Sequence, residues 1–278
     1  MLIATQIPIP DSNGPDITAM NTLTADLKDG FSRYTLAVAL AREDLLDRYR
    51  RSFVGIAWIV ISFLLFIGVK SMVFSGFFLP EDYDFFSHLV IGFAIFSFIN
   101  LIVTQGANLF FANRTWILSS STPYTVYIHS LVIRAFIELA LVSVTSALLI
   151  VAFGDVDWRQ AWIILPGAAV YYVTAFGLCL LTAPLSVSIK DIVHALQAVM
   201  RVTFFATPII WVAEPDTLRG TVAFWNPLTY YIDIVRVPLL ESRFPSESWI
   251  VVGVLTTLIC FLGAVTFNRL KPRVAISL

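Results

Sequence analysis

Between Phe85 and Phe111 the chain holds no Asp, Glu, Lys or Arg. A run of that length matches the thickness of a bilayer's hydrocarbon core, which an α-helix crosses in about 20 residues. Similar runs recur at 53–79, interrupted only by Lys70, and at 123–153, which contains Arg134 and Glu138. Others lie at 161–189, at 192–213 with Arg201 near its middle, and at 249–268. Composition agrees with the pattern. Apolar residues make up 58% of the chain and charged residues only 13%, against roughly 25% charged in soluble domains. The expected fold is therefore an all-α integral membrane domain with six transmembrane helices.

The connecting segments set an orientation. With six spans both termini lie on one side, together with Lys28, Arg33, Arg42, Arg48, Arg50, Arg51, Arg114, Lys190, Arg269, Lys271 and Arg273. The other side holds Arg159, Arg219, Arg236 and Arg243. Cations favour the cytoplasmic face, so both termini are expected there, in a multi-pass protein of the cytoplasmic (inner) membrane. Residues 1–32 read as a flexible cytoplasmic tail without the basic start of a signal peptide. Residues 33–278 form the membrane domain.

Two segments depart from simple spanning. In 34–51, Tyr34, Val38, Ala41, Leu45 and Tyr49 recur at helical spacing, with Glu43, Asp44 and Asp47 on the other side. This predicts an amphipathic helix lying on the cytoplasmic leaflet, ending in the basic cluster Arg48, Arg50, Arg51. Leu36 and Leu40 fall on its polar side and are available for contact with another protein. The segment 214–247 is apolar and aromatic but too short to cross. Pro227 and Pro238 interrupt it, which predicts re-entrant helices on the outer side.

The chain lacks phosphate-loop, dinucleotide-binding, zinc-protease and Cys-x-x-Cys signatures. His88, His129 and His194 fall at the ends of different spans, and Cys179 and Cys260 lie in apolar runs. No catalytic residues, metal site or cofactor is expected in this chain. With a net charge of −1, no basic field points to nucleic acid. Energy for any active transport would come from an ion gradient or a partner chain.

Charges inside spans are costly and usually face a bundle interior or a water path. In the fifth run His194, Gln197 and Arg201 share one helical side, which Phe204, Phe205 and Pro208 roughly continue. Ser62, Phe66, Lys70 and Phe77 share a rough face of the first. These are candidate walls of a substrate path. The alternative for Arg201 is a structural pair with Glu138; Arg134 and Glu138, at i, i+4, are also placed to neutralise each other. Lys70 lies near the outer interface, where its ammonium can reach water.

Several stretches together resemble the polysaccharide-exporting permeases of the ABC-2 type, which export O-antigen, capsule or teichoic acid. Arg48-Tyr49-Arg50-Arg51-Ser52-Phe53-Val54-Gly55-Ile56-Ala57-Trp58 is similar to the basic segment leading into their first span. Lys190-Asp191 resembles their Arg-Asp loop, with Lys190 in place of Arg and so without a guanidinium fork. Phe204-Phe205-Ala206-Thr207-Pro208-Ile209 resembles a motif of their fifth span. Trp225-Asn226-Pro227-Leu228-Thr229-Tyr230-Tyr231 resembles their outer segment, and Asn268-Arg269-Leu270-Lys271-Pro272-Arg273-Val274-Ala275 their tail.

The resemblance implies a homodimer of this chain with two copies of an ABC ATPase, on which ATP and Mg reside. It implies an undecaprenyl-linked glycan as cargo and membrane lipid as surroundings. Arg48, Arg50 and Arg51 would meet the lipid phosphate at the entrance. The loop from Ala112 to Thr122, with Asn113, Arg114, Thr115 and Trp116, would couple to the ATPase. Phe224, Trp225, Asn226, Pro227, Tyr230 and Tyr231 would form an outer gate. Rival readings are an ABC-2 exporter of a drug or small lipid, a membrane-embedded glycan-modifying enzyme, and an ion-coupled carrier using Glu138 and Arg201.

Overall fold

The computed structural model describes residues 23–50, 52–74, 84–214 and 216–278. Among these residues every regular element is helical. In chain order they are α1 (Leu23–Ser32), α2 (Tyr34–Tyr49), α3 (Ala57–Phe74), α4 (Phe85–Ala112) and α5 (Arg114–Ser119). There follow α6 (Tyr124–Phe153), a 3₁₀ turn (Trp158–Ile163), α7 (Ile164–Ser188), α8 (Asp191–Ala206), α9 (Leu218–Trp225), α10 (Pro227–Glu241) and α11 (Ser246–Ser277). Five elements are long and apolar enough to cross a membrane: α3, α4, α6, α7 with its preceding turn, and α11.

α4 is the centre of the bundle. Of its most apolar stretch 72% is buried, against 11% for α3. α6, α7, α8 and α10 surround α4, and α11 packs along α7. The α7–α11 contact depends on small residues, as close helix packing in lipid generally does. A Cβ at Gly263 would stand 2.6 Å from the Gly177 carbonyl oxygen, so the two backbones meet there without side chains between them.

The fifth expected run, 192–213, is helical only to Ala206. Pro208 has no N–H to continue the ladder and pushes its predecessor out of the α region; Thr207 is extended, with φ −96° and ψ 136°. At about 24 Å, 16 residues of helix fall short of a hydrocarbon core of about 30 Å. The following turn nevertheless reaches the level where α4 begins, since Trp211 O lies 3.2 Å from His88 Nε2.

Two other expectations change. Residues 23–32, read from sequence as part of a loose tail, form α1, whose Asp26 and Gly30 are buried. The packed face of α2 is Ala37, Ala41 and Leu45, while Tyr34 and Val38 are exposed. The stripe chosen from sequence was one residue out of phase at its start, because short alanines, not the larger Tyr34 and Val38, let α2 lie close on α6. Phe77 and Arg51 lie outside the described residues.

At one end of the bundle lie α1, α2, α5 and the last turns of α11. Leu23 N donates to Asn268 Oδ1 at 2.7 Å, and Asp26 pairs with Lys271 at 2.9 Å. At the other end are α9, α10 and the 154–163 connection. There Asp157 N donates to Leu239 O at 3.0 Å. The Asp157 carboxylate accepts from Arg159 N and from the Ser242 hydroxyl, and these two bonds stabilise the charged form and hold its pKa below the usual carboxylate range.

Candidate substrate path

α2 lies over the groove between α4 and α6 and closes it incompletely. A cavity of about 460 Å³ remains, lined among others by Asp44, Arg48, Gln105, Asn113, Trp116 and Arg134. Arg134 projects from α6 about 15 Å along the helix from its start and is only 2% exposed. Its Nε lies 2.8 Å from Asp44 Oδ2 of α2, and its Nη1 lies 3.7 Å from Glu138 Oε1 one turn on. Nη2 donates to Gln105 Oε1, and Arg48 Nη2 donates to the same oxygen at 3.1 Å. A buried arginine held by two carboxylates and an amide is how a charge survives within an apolar bundle.

Glu138, the other end of this network, lines a second cavity of about 320 Å³, bounded by Ser62, Phe63, Phe66, Phe93 and Ser97 among others. The Arg134–Glu138 pair therefore stands between the two. Beyond it is a row of rings. Phe66 of α3 stacks on Phe93 of α4 with centroids 3.6 Å apart. Phe204 of α8 meets Phe66 edge-on at 5.7 Å and Phe96 at 5.2 Å. Lys70 places its ammonium 5.5 Å from the Phe66 ring and 5.4 Å from that of Phe74, a cation–π arrangement.

The residues expected to line the path thus divide. Phe66 and Phe204, chosen from two separate spans, meet on Phe93 and Phe96, which the sequence did not single out. His194, Gln197 and Arg201 are exposed along α8 together with Phe205. Phe204, on the flank of the same side, is half-buried against the rings of α3 and α4, and Pro208 is buried. The suggested pair of Arg201 with Glu138 does not form; Glu138 faces Arg134 instead.

Of the cations expected at the entrance, Arg48 joins the Gln105 network, while Arg50 pairs with Asp47 at 3.7 Å in solvent. Among the residues expected to couple to an ATPase, Asn113 bonds back to Leu109 O at 2.9 Å. Arg114, Thr115 and Trp116 are exposed on α5, which is anchored by buried Ile117.

The outer residues also separate by role. Asn226 ends α9 and caps α10, with Pro227 at the first helical position. Its Oδ1 accepts from Leu228 N at 2.9 Å, and its Nδ2 donates to Thr207 Oγ1 at 2.8 Å and Ala206 O at 3.1 Å. Tyr231 is buried; its carbonyl accepts from Tyr171 Oη at 2.6 Å, and its hydroxyl lies 2.9 Å from Thr256 Oγ1. Arg236, one of the cations expected on the outer side, is buried too; it pairs with Asp233 at 2.7 Å, lies 3.2 Å from His88 Nε2 and donates to Pro208 O. Phe224 and Trp225 stay exposed, and the Tyr230 hydroxyl donates to Phe224 O at 2.9 Å.

Sequence reasoning missed Gln105 and Asp26. The available signal for Gln105 was an amide inside an otherwise apolar span, where it must find a partner. For Asp26 it was the start of α6 after Pro123, which supplies no side-chain cap of its own.

The ABC-2 type transporter family matches residues 35–240. The chain is 21% identical over 249 residues to an O-antigen export system permease protein RfbA of Myxococcus xanthus, covering 87% of this chain and 95% of that protein. It is 21% identical over 245 residues to a protein of the same name from Klebsiella pneumoniae, covering 87% and 94%. With several helices fit to cross a bilayer, and a family match extending from α2 into α10, this chain belongs to the ABC-2 type transporters as a multi-pass membrane subunit.

Proposed function

We propose that the chain is the transmembrane subunit of an ATP-driven exporter that moves a lipid-linked polysaccharide, an O-antigen, across the inner membrane. The observation that carries this reading is the sequence of surfaces from the polar cavity beneath α2 to the row Phe66, Phe93, Phe204. A pyranose presents C–H faces that stack on rings and hydroxyls that need polar partners, and the two cavities offer both in order. The named function of the relatives, over most of both chains, supports the same cargo.

In this reading the chain crosses six times. α8 and the turn after Pro208 make the fifth crossing, both termini lie in the cytoplasm, and α9 and α10 are re-entrant at the outer face. Two copies enclose the path. Two ATPase subunits, holding ATP and Mg, dock against α5, where Trp116 and Leu118 are exposed. The cargo is linked to undecaprenyl diphosphate.

The test is co-expression with an ABC ATPase of an O-antigen export system, followed by purification and reconstitution. The two chains copurify in equal amounts, and ATP hydrolysis rises when undecaprenyl-linked glycan is added. Transport by this chain alone, without an ATPase, refutes the proposal.

A further inference from the structure

Arg134 is set up to receive an anion other than the one it holds. Its guanidinium lines the 460 Å³ cavity and is 2% exposed, yet its carboxylate partner Asp44 is 59% exposed. A carboxylate that is already half in water can leave at little desolvation gain or loss of its own, while the buried guanidinium still requires an anion. Nη1 makes no hydrogen bond, since Glu138 stands off at 3.7 Å. Arg48 is brought alongside by the shared Gln105 oxygen. Two guanidiniums at one amide, one of them desolvated and with an unbonded donor, match the acceptor oxygens of a phosphate ester better than the Asp44 carboxylate does.

The other charges facing the cavity are Glu43, Asp44 and Asp47, and all three belong to α2. Free anions are therefore repelled while α2 lies in place. An anion reaching Arg134 must displace Asp44, and with it the helix that carries the remaining carboxylates. We propose that Arg134 and Arg48 form a phosphate-ester site at the α2 end of the bundle, held shut by the Asp44 carboxylate until a phosphate or diphosphate ester takes its place. Asp44 is thus a latch, and its release couples arrival of the cargo's head to opening of the entrance. This rests on the reading that the cargo is lipid-linked through phosphate.

The experiment measures binding to the full-length chain in nanodiscs of zwitterionic lipid, with two probes: soluble inorganic diphosphate, and undecaprenyl phosphate doped into the disc. Asp44→Asn removes the competitor while keeping the side chain's size, and its unfolding temperature is read alongside because buried Arg134 is left with Glu138 as its carboxylate partner. It tightens binding by about two- to fivefold, the range of an exposed ion pair. Arg134→Lys keeps the charge but loses the fork and weakens binding about tenfold. A merely structural pair predicts that Asp44→Asn leaves binding unchanged or weakens it. Either result, or binding of neither probe, overturns the site.

Tightening seen with both probes supports a site for the phosphate group itself; tightening seen only in doped discs supports a site for the lipid head. The two proposals fail separately. Wild-type complex that exports glycan but binds neither probe loses only the latch. A chain that binds diphosphate as described but exports no lipid-linked glycan with its ATPase loses only the cargo.

Discussion

Asp26 joins three elements through one carboxylate. It is 5% exposed; Oδ1 accepts from Thr125 N at 3.0 Å and Thr125 Oγ1 at 2.7 Å, while Oδ2 meets Lys271 Nζ at 2.9 Å. It thereby caps α6 from α1, supplying the anion that a helix N-terminus favours, and neutralises a lysine from the end of α11. Removing one partner of a buried pair leaves the other uncompensated, so Asp26→Ala is expected to cost about 3–5 kcal/mol. Asp26→Asn retains an acceptor for Thr125 and costs less. In a double-mutant cycle by thermal unfolding in detergent, Lys271→Met recovers part of the Asp26→Ala loss. Additive losses would mean that the pair is not coupled. From sequence Asp26 was one more acid in a polar stretch, because nothing local indicates that its partners lie 99 and 245 residues away.

At the scale of elements, Asn226 decides how α9 and α10 sit against the end of α8. It is the hinge between α9 and α10 and also the tie to the end of α8, where Pro208 has freed backbone groups. Asp is as good an N-cap as Asn, so the two functions can be separated. Asn226→Asp keeps the acceptor for Leu228 N but cannot donate to Thr207 Oγ1 or Ala206 O. It instead turns a carboxylate oxygen toward a carbonyl in a site that is 8% exposed. Asn226→Asp is therefore expected to destabilise at least as much as Asn226→Ala, by about 1–3 kcal/mol, read as unfolding temperature and as proteolysis between α8 and α9. A neutral Asn226→Asp would show that capping is its whole role. The hinge was legible from Asn226-Pro227, a local signal. Five of the six expected spans were legible for the same kind of reason, since apolar length is written along the chain. The face of α2 was not, because which residues pack depends on how closely α6 approaches. Nor was the packing of Phe204, which depends on the rings of α4.

Across the whole molecule, α4, α6, α7 and α11 form a packed unit, while α3 and α8 are attached along its side. α3 is nearly unburied, and α8 exposes His194, Gln197 and Arg201 next to Val199 and Val202. Lipid accounts for the valines but not for Arg201, since a cation facing hydrocarbon costs at least about 2.5–3.5 kcal/mol. In the proposed six-crossing arrangement, the polar side of α8 therefore faces water or the second copy, and the valine side faces lipid. Single cysteines along α8, in a background with Cys179 and Cys260 replaced, turn this into a periodic readout. A membrane-impermeant thiol reagent is expected to label positions 194, 197 and 201 in the reconstituted chain and to leave 199 and 202 unlabelled. Glycan bound with the ATPase partner present should protect 197 and 201, while 199 stays silent in every state. Uniform labelling along α8, or labelling of the valine side alone, would place the path elsewhere and leave Arg201 to be explained by a contact within the bundle. Phe204 lies one turn on from Arg201 and two from Gln197, on the flank of the same side, and meets Phe66 and Phe96 there, so protection at 197 and 201 would place the glycan beside the aromatic row.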